Sequence, residues 1–167
     1  MNLGIRESLP TDDPAIAAVV TEAFGQRDEA DLVARLAHDG DVELSMVAEE
    51  GGAILGHILH SDLGVVVDGR PVRAVALAPV SVVPARQGRG IGGRLIRASL
   101  DLLQARGFEA VVVLGHPTYY PRFGFSAALA AKLQGPFAGD AFMARELVPG
   151  ALSGHVGSVH YARAFGL

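Results

Sequence analysis

The chain contains no cysteine, and that absence removes disulfides, thiolate nucleophiles and cysteine metal sites together. It also fits a reducing compartment. Basic residues are few: Lys and Arg number 14 against 18 Asp and Glu, giving a formal charge of −4 and a pI near 5.8. A polyanion binder is normally basic overall, so nucleic acid is not an expected partner and any phosphate site has to be local. No apolar segment is long enough to cross a bilayer, which takes about 20 residues. The best candidate, Ala74 to Ala85, is closed by Arg73 and Arg86 and contains Pro79 and Pro84. The start, Met1-Asn2-Leu3-Gly4-Ile5-Arg6-Glu7, lacks the basic-then-apolar layout of a signal peptide. A soluble cytoplasmic protein without a membrane partner is expected. The six histidines show no ligand spacing with carboxylates, so no metal is expected either.

Half of the 167 residues are hydrophobic and only 19% are charged, which points to a packed core rather than disorder. No linker, repeat or low-complexity run divides the chain, and one domain over 1–167 accounts for it. Leu3 to Ser8 reads as an opening strand. Asp13 and Pro14 then read as the N-cap and first residue of a helix whose stripe is Ile16, Val19, Val20 and Ala23. Leu32, Val33 and Leu36 mark a second helix, closed by Gly40. Glu43–Glu49 and Ala53–Leu63 read as strands joined by the hairpin pair Gly51-Gly52, with Val65-Val66-Val67 leading to a further turn at Asp68-Gly69. Val72 to Val83 is a long apolar strand whose Pro79 cannot donate to a ladder, implying an edge, a bulge or a place where strands separate. A helix from about Gly92 to Arg106 and a buried strand Ala110–Leu114 follow. This strand–helix–strand unit requires parallel pairing. Phe142–Leu147 and Val156–Tyr161 complete a mixed α/β set.

The glycines at the strand-to-helix junction Gln87-Gly88-Arg89-Gly90-Ile91-Gly92-Gly93 leave backbone N–H groups unshielded at a positive helix end, a ready anion site. The bland reading is that they only permit a tight turn and close helix packing. Two functional readings compete. Gly88, Gly90 and Gly93 satisfy the dinucleotide-binding spacing G-x-G-x-x-G. That reading expects an acidic residue at the end of the next strand, where Val113-Leu114-Gly115 stands, and it leaves no room for the spacer Pro84-Ala85-Arg86-Gln87. The other reading is Gln/Arg-x-x-Gly-x-Gly/Ala, which Gln87 to Gly92 matches at every fixed position.

That second pattern resembles the acyl-CoA pyrophosphate loop of the GNAT N-acetyltransferase superfamily, and the flanks Val82-Val83-Pro84 and Gly93-Arg94-Leu95-Ile96 resemble it as well. Ile5-Arg6, Val47-Ala48-Glu49, Gly56-His57-Ile58 and Phe123-Gly124-Phe125 also stand where such enzymes have them. Gly115-His116-Pro117-Thr118-Tyr119-Tyr120-Pro121-Arg122-Phe123-Gly124-Phe125 is similar to the bacterial subgroup labelled YhbS-like. The resemblance implies a central mixed sheet splayed between the fourth and fifth strands, with helices on both faces. It implies acetyl-CoA as co-substrate, held by the backbone of Ser81, Val82 and Val83 and by Gln87, Gly88, Arg89, Gly90, Ile91, Gly92 and Gly93. Arg86, Arg94 and Arg97 surround the same turn.

The resemblance further implies acetyl transfer to an amine by direct attack, with Tyr120, four residues before Gly124, as general acid toward the thiolate. Core packing is the plain alternative for Tyr120, and Tyr119 beside it competes for the role. The base is open among His57, His60, His116 and water, and His116 also reads as a cap for a helix begun by Pro117. The acceptor is a primary amine of a small molecule or peptide, its site drawn roughly from Phe24 to Arg35 and Gln134 to Val156. A non-catalytic acyl-CoA-binding domain would use the same loop. A monomer and a homodimer are both compatible with the sequence.

Overall fold

A run of eight strands and four helices organises the computed structural model, which describes residues 2–167. The elements in chain order are β1 Gly4–Glu7, α1 Asp13–Phe24, α2 Asp28–His38, β2 Val42–Glu50, β3 Ala53–Val67 and β4 Arg70–Val82. They continue with α3 Ile91–Ala105, β5 Ala110–Leu114, α4 Ala127–Ala130, β6 Leu133–Gln134, β7 Phe142–Glu146 and β8 Gly157–Tyr161. The strands hydrogen-bond in the order β1-β2-β3-β4-β5-β7, while β8 pairs with both β3 and β6. The sheet is mixed: β4 and β5 are parallel, whereas β1–β2, β3–β8 and β5–β7 are antiparallel. The parallel β4–β5 pair is the one that α3 connects, as a strand–helix–strand unit requires.

The chain divides into two compact units. One comprises the residues up to His60 together with Ala78–Asp101; the other comprises Ser61–Leu77 and Leu102–Leu167. The first unit contains β1, α1, α2, β2, the first half of β3 and the end of β4. Its core includes Ile16, Val20, Ala30 and Val47, with Val33 and Ile54 packed against them. The hairpin between β2 and β3 turns on Gly51 (φ 58°) and Gly52 (φ 81°), the two left-handed residues of a type I′ turn. The periodicity of α3 predicts an apolar stripe of Leu95, Ile96, Ser99, Leu102 and Leu103; its buried side carries Leu95, Ile96, Ser99, Leu100 and Leu103, with Leu102 only partly buried.

The N-terminal end of α1 differs from the sequence reading. A short 3-10 helix, Pro10–Asp12, precedes it, and Asp12 rather than Asp13 holds the N-cap position. The Asp12 side chain does not cap α1. It accepts Arg6 Nη1 at 2.8 Å, Arg6 Nη2 at 3.0 Å and the Leu9 N–H at 2.7 Å. Arg6 also reaches Glu49 at 2.6 Å, so one guanidinium ties β1 to the start of α1 and to β2. The carboxylate is occupied by the guanidinium, a pairing charged on both sides, and so is not available to the first N–H groups of α1.

The second unit holds the rest of β3 and β4 with β5 to β8. Its core runs from Leu63, Val65 and Val67 through Val72, Ala74 and Ala76 to Val112, Phe142 and Val159. The strand read as Ala53–Leu63 runs on to Val67: β3 passes through Gly64 and pairs it with His160 of β8. The β4–β5 ladder aligns Ala74, Val75, Ala76 and Leu77 with Ala110, Val111, Val112 and Val113. Its last pair is Leu77↔Val113; β4 itself runs on to Val82, and the Ala78–Pro79 peptide in that extension is cis.

Candidate functional site

The segment after β4 leaves the strand at Val83, makes a 3-10 turn over Pro84–Arg86 and extends again at Gln87 (φ −67°, ψ 154°). Gly88 (φ 75°) and Gly90 (φ 82°) are both left-handed. A Cβ placed on either would meet no other atom within 4 Å. Close packing therefore does not explain these two glycines; the backbone conformation does. Helix α3 then begins at Ile91, and Arg94 N–H donates to the Gly90 carbonyl at 3.1 Å as an i→i−4 bond. The N–H groups of Ile91, Gly92 and Gly93 come before that bond, so the helix itself offers them no i−4 carbonyl. An open turn with N–H groups at a positive helix end suits a phosphate.

The strand before the turn is held on one side. Val83 N–H donates to the Leu55 carbonyl of β3 at 2.9 Å. Because successive residues of a strand present their polar groups to opposite sides, Val82 presents its own away from β3. The Val82 carbonyl accepts the Gln87 side-chain amide at 2.9 Å, so Gln87 staples the turn back onto the strand. Ser81 is buried, and its hydroxyl has no hydrogen-bond partner.

The four arginines around the turn differ. Arg86 pairs with Glu50 at 3.2 Å, and this ion pair holds the Glu50 carboxyl below its ordinary value. Arg94 Nη2 donates to the Leu3 carbonyl at 3.2 Å. Arg89 and Arg97 are exposed. Of the four, Arg89 lies within the turn itself.

The histidines named as candidate bases fall into two kinds. His57 and His60 are fully buried. His57 Nε2 lies 2.9 Å from Ser45 Oγ, and Ser45 Oγ in turn lies 2.8 Å from Ser8 Oγ. His60 Nε2 lies 2.9 Å from Ser99 Oγ, whose hydroxyl donates to the Ile96 carbonyl at 2.9 Å. With that proton committed, Ser99 can only accept from His60, which fixes the Nε2–H tautomer. Burial lowers the His57 ring to about 4 and the His60 ring to about 3, so both stay neutral. Neither is open to an incoming amine. His116 is exposed, and its carbonyl accepts the Tyr119 and Tyr120 N–H groups at 3.1 and 3.4 Å. It closes a turn there; no helix starts at Pro117, because the short 3-10 helix begins only at Tyr120.

Tyr120 opens that 3-10 helix, Tyr120–Phe123, and is 8% exposed. Its ring meets Phe125 edge-on at 5.8 Å between centroids, Phe123 at 6.4 Å and Tyr119 at 5.2 Å. Burial, with Tyr119 adding to it, pushes the Tyr120 phenol up to about 12. Tyr119 is half-buried, and the Arg122 guanidinium stands 4.5 Å over its ring. Arg122 Nε also donates to the Tyr119 backbone carbonyl at 2.8 Å. Gly115, directly after β5, has a role that sequence reasoning missed. A Cβ there would collide with the Tyr120 ring, so glycine lets the ring lie on the backbone. The glycine itself was legible, but not its partner five residues away.

The family description "Acetyltransferase (GNAT) domain" matches residues 5–128. The chain is 36% identical over 164 residues to the uncharacterized N-acetyltransferase YhbS of Escherichia coli (strain K12), covering 96% of this chain and 97% of that one. The crystal structure of the Escherichia coli GNAT family N-acetyltransferase YhbS in complex with CoA aligns with a TM-score of 0.91 at 34% identity, over 100% of this chain and 93% of that one. A GNAT family acetyltransferase from Brucella melitensis, solved with acetyl-CoA, aligns with a TM-score of 0.81 at 37% identity over 98% of each chain. The left-handed glycines, the stapling Gln87 and these alignments agree: the chain belongs to the GNAT acetyltransferase family.

Proposed function

We propose that this chain transfers the acetyl group of acetyl-CoA to a primary amine of a small molecule or peptide, by direct attack in a ternary complex. The observation that carries the reading is the turn from Gln87 to Gly93, with left-handed Gly88 and Gly90 feeding the first turn of α3. The chain's own geometry fits the cofactor. The space above Gly88 and Gly90 is open, and the N–H groups of Ile91, Gly92 and Gly93 suit a pyrophosphate. Arg89, exposed in the same turn, adds a positive charge. The two relatives solved with CoA and acetyl-CoA support the same assignment.

Acetyl-CoA supplies a thioester whose carbonyl carbon accepts an amine. In this reading the backbone of Ser81, Val82 and Val83 pairs with the pantetheine arm as an added strand would. Val82 is the residue whose polar groups face away from β3, and its N–H polarises the thioester carbonyl. The amine nitrogen forms the new C–N bond, the C–S bond breaks, and Tyr120 O–H gives its proton to the departing sulfur. The amine sheds its own proton to water or to exposed His116, since His57 and His60 are buried, and solvent returns a proton to the Tyr120 oxygen. A phenol raised to about 12 keeps its proton at neutral pH and donates only as charge develops on sulfur.

The test is acetyl-CoA turnover followed as thiol release across polyamines, aminoglycosides, amino acids and peptides. Amine-dependent release is expected for at least one class. Stoichiometric acetyl-CoA binding without release for any of them would move the assignment to a non-catalytic acyl-CoA-binding domain.

A further inference from the structure

Gly56 lies buried in β3, with an ordinary backbone conformation. Its lack of a side chain is therefore a matter of space. A Cβ at this position would lie 3.0 Å from Leu95 Cδ1, 3.3 Å from Ile91 Cγ2 and 3.2 Å from the Ser81 carbonyl oxygen. The first two atoms belong to the opening turns of α3; the third belongs to the strand that leads into the glycine turn. Gly56 thus touches both flanks of the Gln87–Gly93 segment at once. Farther along the helix, His60 of the same strand holds Ser99 through the 2.9 Å bond to its hydroxyl. Residues 91 and 99 are about 12 Å apart along a helix rising 1.5 Å per residue. A side chain at 56 would press on the start of α3 while the Ser99 end stayed fixed, tilting the helix N-terminus away from Ser81.

We infer that Gly56 is a positioning residue for the donor: its bare Cα sets the spacing between the Ser81–Val83 strand and the first turn of α3, the two walls that grip CoA. This rests on the assignment of that turn to CoA. It extends the site to a residue that never touches the ligand.

Isothermal titration of CoA into the full chain, comparing wild type, Gly56→Ala, Leu95→Val and the double variant, tests it. A shift of a few tenths of an ångström between the two walls loosens the charge-assisted hydrogen bonds to the pyrophosphate, so Kd for CoA should rise by about tenfold in Gly56→Ala. Leu95→Val removes the Cδ1 atom in the closest contact. It should leave affinity within about twofold alone and, in the double variant, recover about threefold of the loss; a purely structural defect would add to the first instead. Should Gly56→Ala fail to fold, the double variant against Leu95→Val carries the comparison, with about a threefold loss expected. A Gly56→Ala protein, or a double variant against its Leu95→Val parent, that binds CoA as its reference does would overturn the inference, whatever its thermal midpoint. So would a double variant no tighter than Gly56→Ala. Failure of the wild type to bind CoA would overturn the donor assignment itself, and this inference with it.

Discussion

Tyr120 is placed by its neighbours more than by its own chemistry. Gly115 gives it room, and Phe123, Phe125 and Tyr119 meet its ring edge-on. Such edge-to-face contacts each contribute about 0.5–1.5 kcal/mol and together limit the ring to one orientation. General acid catalysis is typically worth about 10²–10⁴-fold, so Tyr120→Phe is expected to lower kcat by about 10²-fold or more. The Kd of acetyl-CoA should change by less than about twofold, because the phenyl ring and its packing remain. Steady-state kinetics beside titration calorimetry separates the two; unchanged turnover would return Tyr120 to a packing role. Gly115→Ala should reproduce part of the kcat loss by displacing the ring while leaving the phenol chemically intact. Unchanged kcat in that variant would mean that the ring position has no bearing on turnover.

The glycine turn and its flanking elements were the most legible part of the chain. The spacing from Gln87 to Gly93 marked the turn, and the stripe Leu95, Ile96, Ser99, Leu102 and Leu103 marked the helix, with all but Leu102 fully on its buried face, because both signals are local. The hairpin pairs Gly51-Gly52 and Asp68-Gly69 were equally plain, and both adopt positive φ. Long-range roles were not legible. Nothing local says that Asp12 would answer Arg6 rather than cap α1, or that Gln87 would reach back to the Val82 carbonyl. The short α4 and β6, of four and two residues, carry too little periodicity to be read. At this scale the turn makes its own prediction. An alanine at Gly88 or Gly90 meets no neighbour, so its cost is the left-handed backbone, about 1–2 kcal/mol. Gly25, at the C-cap of α1, shares that conformation (φ 70°) and open surroundings. All three alanine variants should lose similar stability in thermal melts, but only Gly88→Ala and Gly90→Ala should weaken CoA, by about tenfold. Equal CoA affinity in all three would detach the turn from the cofactor.

For the molecule as a whole, the two buried histidines set how stability responds to acid. Both rings have folded values depressed from 6.5, to about 4 for His57 and about 3 for His60, by burial. The unfolded chain therefore binds more protons than the folded one below pH 6.5, and stability falls as pH falls. It is complete above 6.5 and declines by roughly 1 kcal/mol per pH unit for each ring down toward the folded values. Asp12, held at about 2 chiefly by its bonds to Arg6, adds a loss only below its ordinary value of 3.8. Urea unfolding at pH 7.5 and 5.5 should therefore differ by about 2–3 kcal/mol. A flat profile would mean that the rings are not buried and neutral in the folded state. The acid-sensitive window opens below pH 6.5, so acetyl transfer assayed at pH 7.5 and above is read where the fold keeps this stability. The most direct measurement is made there: thiol release from acetyl-CoA, with the amine product identified by mass spectrometry, for the wild-type chain and Tyr120→Phe side by side. Amine-dependent release with an acetylated product, reduced about 10²-fold in the variant, is the expected result. Tight acetyl-CoA binding with no acetylated amine from any acceptor class would contradict the transferase assignment.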